Sequence, residues 1–479
     1  MANIAVVDIG TSRIKAALID EHGQLKHLLS QRLARAASPA RQDAAVWRSC
    51  AEAFLAELNQ TAAGGIDAVA VTGNMHAMLP YNINGEPLTE AWLWSDNACQ
   101  AESDFLNSEY QAELELAANN LAAPVFTLPK ILRFKAEYGE LYRQTAAFLQ
   151  SKEVIIQALT GKFVTDPVDA SGSLLYDLRT AGWNRSLMAA LKLDEAKFPE
   201  IYPSGGVCGY VSEAAAKRIG IKAGTPVVTG CGDLASAALG SNVNQDSLSL
   251  TLGTAGQLLG TGAAGQGHKL FGKLFVFAYA VPGQELYLGS MPGGGFSFEW
   301  LAKQHNVAID ELFRLAATKK ITADLPLFMP YLLGRGAPYM DYTPCGGWAG
   351  LSARHNQADL FAGAVFGTLC ALRQCADLME ALTGGKKYLI LHALAAREAA
   401  VRNCAGALFN QQKFLPENTE ASLLGAAILG MAAIKQYDSV TEAAQQMVKT
   451  NPLAVTKQAE AELLYQRFLK ISAEITAFC

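Results

Sequence analysis

Short apolar runs alternate with longer helical patterns along the whole chain. NIAVVDI (3–9), IDAVAVTG (66–73), TPVVTG (225–230), SLSLTLG (247–253), KLFVFAYAV (273–281) and KKYLILHAL (386–394) read as strands, because apolar and β-branched residues fill short windows bounded by Gly or polar breaks. AAVWRSCAEAFLAELNQ (44–60) reads as an amphipathic helix. Residues 359–383 read as a long helix, with Asp359 suited to its N-terminal end and Gly384-Gly385 to stop it. The most apolar late run, ASLLGAAILGMAAI (421–434), is shorter than the roughly 20 residues that cross a bilayer, so it reads as a buried helix. From 456 onward the tail is charged and amphipathic and reads as a closing surface helix. The alternation predicts an α/β architecture with covered sheets.

Within this pattern one local arrangement occurs twice. VVDIGTSRIKAALI near the start and LSLTLGTAGQLLGTG (248–262) both set Gly-Thr between two strand-like runs, about half the chain apart. A Gly tip lets a ligand approach the backbone, and successive N–H groups with a hydroxyl cradle phosphate oxygens. Asp8, beside the first tip, suits Mg²⁺, a hard cation that takes carboxylate and phosphate oxygens. For either hairpin alone a tight turn is the better account; the repetition predicts two related halves with their tips facing a shared cleft. The boundary is expected in the polar stretch SNVNQD, near 242–246.

Length and composition narrow the class. At 479 residues the chain exceeds one core of usual size, so two domains are expected. It is 51% hydrophobic and 17% charged with a formal net charge of −5, and no basic stripe supplies the charge that nucleic acid or an anionic membrane surface needs. Nine Cys are scattered without a CxxC pair, which suits reduced thiols rather than a disulfide framework or zinc site. The first residues lack a basic segment followed by a long apolar one, so a cytoplasmic protein is expected.

Other candidates follow the predicted strands. In TGNMHAMLPYNINGEPLTEAWLWSDNACQ (72–100), His76, Trp94 and Asp96 suit a polyol pocket; alternatively His76 is structural and Asp96-Asn97 cap the next helix. Asp233, in TPVVTGCGDLASAALGSN, falls at a strand end and helix start, where a carboxylate serves equally as general base or as N-cap. GTGAAG (260–265) has the GxGxxG spacing but leads into a strand-like run, so it is not read as a dinucleotide fingerprint, and no GxxxxGK[ST] is present.

Taken in order, DIGTSRIKAALID, GNMHA, WSDN, LTGKFVTDPVDASGSLLYDL (159–178), TGCGDLASAALG, LGTAG, YLLGRGAPYMD and EASLLGAAILG resemble the FGGY carbohydrate kinases, most closely the xylulokinase-like members, over nearly the full chain. The resemblance implies a two-domain actin/Hsp70-like (ribonuclease H-like) fold with its active site in the interdomain cleft. It implies residues 1–243 as the sugar-binding domain and 244–479 as the nucleotide-binding domain. It also implies transfer of the γ-phosphate of ATP, with Mg²⁺, to a sugar hydroxyl. Matched by motif, Asp8 is the metal-associated acid and Gly10, Thr11 and Ser12 form the first phosphate loop. Met75, His76, Trp94 and Asp96 line the sugar site, and Asp233 is the catalytic base. Gly253 and Thr254 form the second phosphate loop, with Gly294 of the Gly293-Gly294-Gly295 run near the nucleotide. Phosphoryl transfer needs mainly alignment and charge neutralisation, which this set supplies.

The sequence departs from the family pattern twice. The Arg of W-x-D-x-R is replaced by Ala98, and the Gly-Gly-Gly turn that usually contacts adenine reads His392-Ala393-Leu394. Side chains there predict strain at any positive φ and a weakened or altered seat for the base. The expectation is a cytoplasmic ATP-dependent pentulose kinase acting on a small-molecule sugar, with homodimerisation left open. The alternatives are a gluconate, sugar-acid or polyol kinase, or a catalytically impaired sugar-binding relative.

Overall fold

All seven residues of Asn3–Ile9 (β1) are buried, which a strand achieves only when both faces of its sheet are covered. The computed structural model describes residues 2–33, 40–455 and 459–475, and β1 lies within a six-stranded sheet. Arg13–Asp20 (β2) returns antiparallel to β1, and Leu25–Arg32 (β3) pairs antiparallel with β2. On the other side of β1, Ala68–Gly73 (β4) and then Pro226–Val228 (β6) run parallel to it, and Val207–Tyr210 (β5) closes that edge antiparallel to β6. Ala44–Thr61 (α1) starts where Asp43 accepts a hydrogen bond from the amide of Ala45, and it buries Trp47, Leu55 and Leu58 in the sheet's core.

A second sheet repeats this scheme. Ser247–Leu252 (β7) pairs antiparallel with Gly256–Ala263 (β8) and parallel with Tyr388–Ala393 (β9). Gln412–Pro416 (β10) follows parallel to β9, and Thr450–Leu453 (β11) pairs antiparallel with β10. Hairpin, two parallel neighbours and an antiparallel edge thus occur in the same order in both sheets, so the Gly-Thr echo marks a repeated topology. GTGAAG falls on β8 and the turn after it, not in a loop ahead of the strand-like run that follows.

The long helix is Gln357–Thr383. Asn356 is its N-cap, Asp359 bonds back to the Asn356 amide at 2.9 Å, and Gly384 ends it at φ 84°. The tail forms a helix over Glu460–Glu474; 456–458 and 476–479 lie outside the described residues. Among the described residues no helix is long and apolar enough to cross a membrane, and eight cysteines are buried free thiols.

Contacts divide the chain into two units. The first comprises Met1–Asn242, Phe277–Glu285 and Glu420–Lys449; the second comprises Val243–Val276, Leu286–Thr419 and Thr450–Cys479. Two segments of the expected 244–479 domain therefore belong with the first unit. The physical reason is plainest at the helix Ala421–Ala433, which packs backbone to backbone on Asp233–Gly240 (α3). A Cβ on Gly240 would stand 1.9 Å from the Ala421 oxygen and one on Gly425 1.8 Å from the Ser236 oxygen, so only glycine permits the approach.

Candidate active site

In the first unit the parallel strands β1, β4 and β6 are neighbours, and the chain leaves their C-terminal ends carrying Asp8, Met75-His76 and Asp233. Such strand ends are the usual ligand face of an open α/β sheet. Asp8 stands opposite Lys15 on β2 and Thr72 on β4. It is buried; Oδ2 accepts a hydrogen bond from the Ser422 hydroxyl at 2.6 Å, and Oδ1 has no hydrogen-bond partner. Burial pushes its carboxyl above the usual carboxylate range, against the Ser422 hydrogen bond and the Lys15 charge that pull it down. Lys15 pairs in turn with Glu420 at 2.5 Å.

The tip after β1 is tight: a Cβ on Gly10 would meet the Arg13 carbonyl at 2.7 Å. Ser12 is exposed at the turn. The Thr11 hydroxyl accepts from the Trp94 indole N–H at 2.8 Å, and the Thr11 carbonyl from the Gln42 amide at 2.5 Å.

Asp233 is the first residue of α3. Gly232 occupies the N-cap position and no side chain caps the helix, so the alternative role for Asp233 as N-cap is excluded. Burial first, and then the nearby negative charge of Asp8, raise its carboxyl to about 7. Buried Met75 packs on the same turn; a Cβ on Gly232 would lie 2.2 Å from Met75 Cγ.

His76 adopts a left-handed backbone, φ 66°, and three of its polar groups are tied: its amide donates to Gln150 Oε1 at 2.7 Å, its carbonyl receives Lys130 Nζ at 3.3 Å, and Nδ1 faces the Gly172 carbonyl at 2.8 Å. A carbonyl only accepts, so Nδ1 carries the hydrogen and Nε2 is left for a ligand. Burial pushes the imidazole down to about 4, and its ring packs against both Phe126 (centroids 5.2 Å apart) and Phe277 (5.6 Å), which also touch each other at 6.3 Å.

Asp96 does not cap a helix; the next one begins at Gln100 after Cys99. Its Oδ2 pairs with Arg41 and its Oδ1 accepts from the Ala98 amide at 3.0 Å. Burial alone would raise the carboxyl, but the hydrogen bonds of Arg41 and Ala98 hold it low. Arg41 also stacks 4.0 Å above the Trp92 ring. A guanidinium is thus supplied from residue 41 where the family motif places one two residues after the Asp.

The second unit assembles three turns of its own. Gly253 and Thr254 form the tip between β7 and β8. The amides of Gly295 and Phe296 donate to the carbonyls of Gly253 (2.7 Å) and Thr254 (3.1 Å), so the helix that starts at Gly294 buttresses that tip. A Cβ on Gly294 would stand 2.3 Å from the Gly256 nitrogen, whereas one on Gly253 would meet nothing nearer than 3.9 Å: the first glycine is needed for packing, the second leaves its backbone open. His392 and Ala393 end β9 opposite Thr251 and Leu252, which places them beside the same tip. Burial pushes His392 down to about 4. Ala393 is exposed at φ 53°, ψ −127°, so the backbone keeps a glycine-like conformation although the residue is alanine.

Taken unit by unit, the donor groups suit different parts of a metal-bound nucleotide. Mg²⁺ is held through one or two carboxylates together with waters and phosphate oxygens, and the unpartnered Oδ1 of Asp8 is such a donor. Among the described residues no group of three or more His, Cys, Asp or Glu forms an all-protein metal cage, which that mode of binding does not require. The open Gly253 backbone and the Thr254 hydroxyl suit phosphate oxygens. Sequence reasoning missed Ser422, Arg41, Lys130 and Gln150; of these only Arg41 was signalled, by the absence of an arginine at 98.

The sequence matches the N-terminal domain of the FGGY family of carbohydrate kinases over residues 3–240 and the C-terminal domain of that family over 248–434. It is 26% identical over 501 aligned positions to a xylulose kinase of Lactococcus lactis subsp. lactis (strain IL1403), covering 99% of this chain and 98% of that one. A gluconokinase of Bacillus licheniformis is 24% identical, covering 95% and 92%. Among solved structures, a xyloylose kinase from Brucella ovis superposes with a TM-score of 0.91 at 23% identity over 99% of both chains.

Proposed function

Since this chain belongs to the FGGY family of carbohydrate kinases, we propose that it is a pentulose kinase of the xylulokinase type, using ATP and Mg²⁺. The observation that carries the catalytic reading is Asp233: a carboxyl at a strand end, raised to about 7 by burial and by Asp8. A general base works best when its proton affinity is matched to the operating pH. Asp233 takes the proton of the acceptor hydroxyl as that oxygen attacks phosphorus. Nε2 of His76 and the indole of Trp94 orient the sugar. ATP would supply the phosphoryl group, and Mg²⁺, which Asp8 would hold, would offset its charge. The Gly10–Ser12 turn and the Gly253-Thr254 turn bind phosphate oxygens, with Gly294 supporting the latter and His392-Ala393 beside the base. The acceptor half of the reaction is assigned to the first unit, whose segment Glu420–Lys449 brings Ser422 to Asp8, and the donor half to the second.

A neutral acceptor is favoured over a sugar acid by the state of the neighbouring cations. Arg41 is paired with Asp96, Lys15 with Glu420, Lys152 with Asp166 and Asp169, and Lys130 is bound to carbonyls. A substrate carboxylate taking its counter-charge from any of these four would have to displace that cation's present partners, beside Asp8 and Asp233. The buried thiols suit a reducing compartment, and we place the reaction in the cytoplasm.

The test is sugar-dependent ADP release with a panel of pentuloses, polyols and sugar acids, in wild type and Asp233→Asn. Turnover with a pentulose that falls at least 100-fold in the variant is expected. Gluconate as the best acceptor would overturn the substrate reading, and equal turnover in both proteins would overturn the base.

A further inference from the structure

Lys130 is completely buried on Thr127–Glu137, the helix that follows Phe126, and its three nearest polar partners are all backbone carbonyls: Val125 at 2.6 Å, Phe126 at 2.9 Å and His76 at 3.3 Å. An ammonium has three N–H donors, so each carbonyl receives one; a neutral amine has two, and its lone pair would face the third oxygen. The three carbonyls belong to chain on both sides of one aromatic contact, because Phe126 lies edge-on to the His76 ring. His76 is also one of the few non-glycine residues held at positive φ. Such a conformation persists only where its surroundings over-determine it. Its amide is fixed by Gln150, whose own amide donates to the Asp169 carbonyl at 2.7 Å, and its carbonyl by Lys130.

We propose that Lys130 is a positioning residue of the acceptor site: its buried ammonium, gathering three converging carbonyls, holds the left-handed backbone of His76 and thereby fixes the imidazole edge offered to the sugar. This rests on reading His76 as an acceptor-side residue. The contact to His76 is the longest of the three, so it is the one surrendered when the amine loses a proton. Burial lowers the proton affinity of Lys130 to about 7, which brings that loss within an accessible range. The groups facing Lys130 are Cys99, Asp96 and Arg41. Cys99 is raised to about 11 and Asp96 is held low, while His76 itself titrates near 4. Beyond Gln150 lie Asp169 and Glu153, both raised, beside Lys152.

The experiment uses the full chain with Asp233→Asn, which removes a second site-face group titrating near neutrality, and ¹⁵N-labelled histidine. The His76 amide signal is identified by its loss in His76→Gln. Between pH 6 and 9 it is expected to move with a midpoint near 7, together with the ¹³Cε signal of Lys130, and to stay still after Lys130→Met. A static His76 signal, or one that moves with a midpoint different from that of Lys130, overturns the proposal, and neither reading needs the Met variant to fold. An unchanged titration in a folded Lys130→Met protein overturns it as well. Where a sugar binds, its Kd by calorimetry should rise at least five-fold in Lys130→Met while that for nucleotide stays level. If no sugar of the panel binds, the acceptor reading fails, and the His76 titration still decides the role of Lys130.

Discussion

The hydroxyl of Ser422 donates to Oδ2 of Asp8 at 2.6 Å although 414 positions separate the two. One oxygen of the acid is thereby fixed and the other left open, which is the arrangement a metal-associated carboxylate needs. Removing the hydroxyl leaves both oxygens buried without a partner. Ser422→Ala is expected to lower stability by about 1–3 kcal/mol and to raise the Mg²⁺ concentration for half-maximal activity several-fold, with Ser422→Thr restoring much of both. Thermal melts and Mg²⁺ titrations of activity check this; an alanine variant with wild-type Mg²⁺ dependence removes Ser422 from the account.

The pH dependence of turnover follows from Asp233. As the proposed base it must be ionised, so kcat is expected to fall as the pH drops through about 7. Asp8 contributes to that raised value, so Asp8→Asn should shift the acidic limb to lower pH even as it lowers the maximum rate. A pH–rate profile of the residual activity measures the shift, and a limb that moves to higher pH contradicts the coupling.

The same carboxyl weighs on stability. Unfolded, it releases its proton near 3.8; folded, it keeps it to about 7. The folded state binds more protons between those values, so this group's contribution is fully present below 3.8 and is lost as the pH rises to about 7. Asp233→Asn should therefore be more stable than wild type at pH 8, by on the order of 4 kcal/mol, and close to it near pH 3.5. Urea unfolding at the two pH values is the measurement.

Ala393 keeps φ 53° without being glycine. Such a residue stores about 1–3 kcal/mol, and glycine would recover most of it, less about 0.5–1 kcal/mol of added chain entropy in the unfolded state. Ala393→Gly should raise the melting temperature by a few degrees and lower the KM for ATP, leaving the sugar KM unchanged. A lower melting temperature would mean that the methyl group itself is needed.

The fold was legible because the strands carry their own signal. NIAVVDI is buried along its length, and both Gly-Thr tips stand between paired strands, so pattern alone placed the hairpins and Asp233. The partners of the site residues were not legible. Asp96 is matched by Arg41 rather than by a neighbour at 98, and His76 is held by Lys130 and Gln150, each more than 50 positions away. Hydrogen bonds of that span leave no periodicity in a sequence. Nor does composition disclose which segment covers a given face, and so nothing in the sequence separates 420–449 from its chain neighbours and joins it to the unit it completes.

The glycine-to-backbone contact between α3 and the helix Ala421–Ala433 also decides how the chain can be cut. A fragment ending at Asn242 would lack the helix that covers α3 and the serine that holds Asp8, leaving a bare apolar flank on an otherwise finished sheet. Neither half is then an independent folding unit. Expressed separately, the pieces 1–242 and 243–479 should each aggregate or remain open to protease. Expressed together, they should recover a protected, Mg²⁺-dependent enzyme by complementation, which makes the helix 421–433 the natural handle for a split reporter.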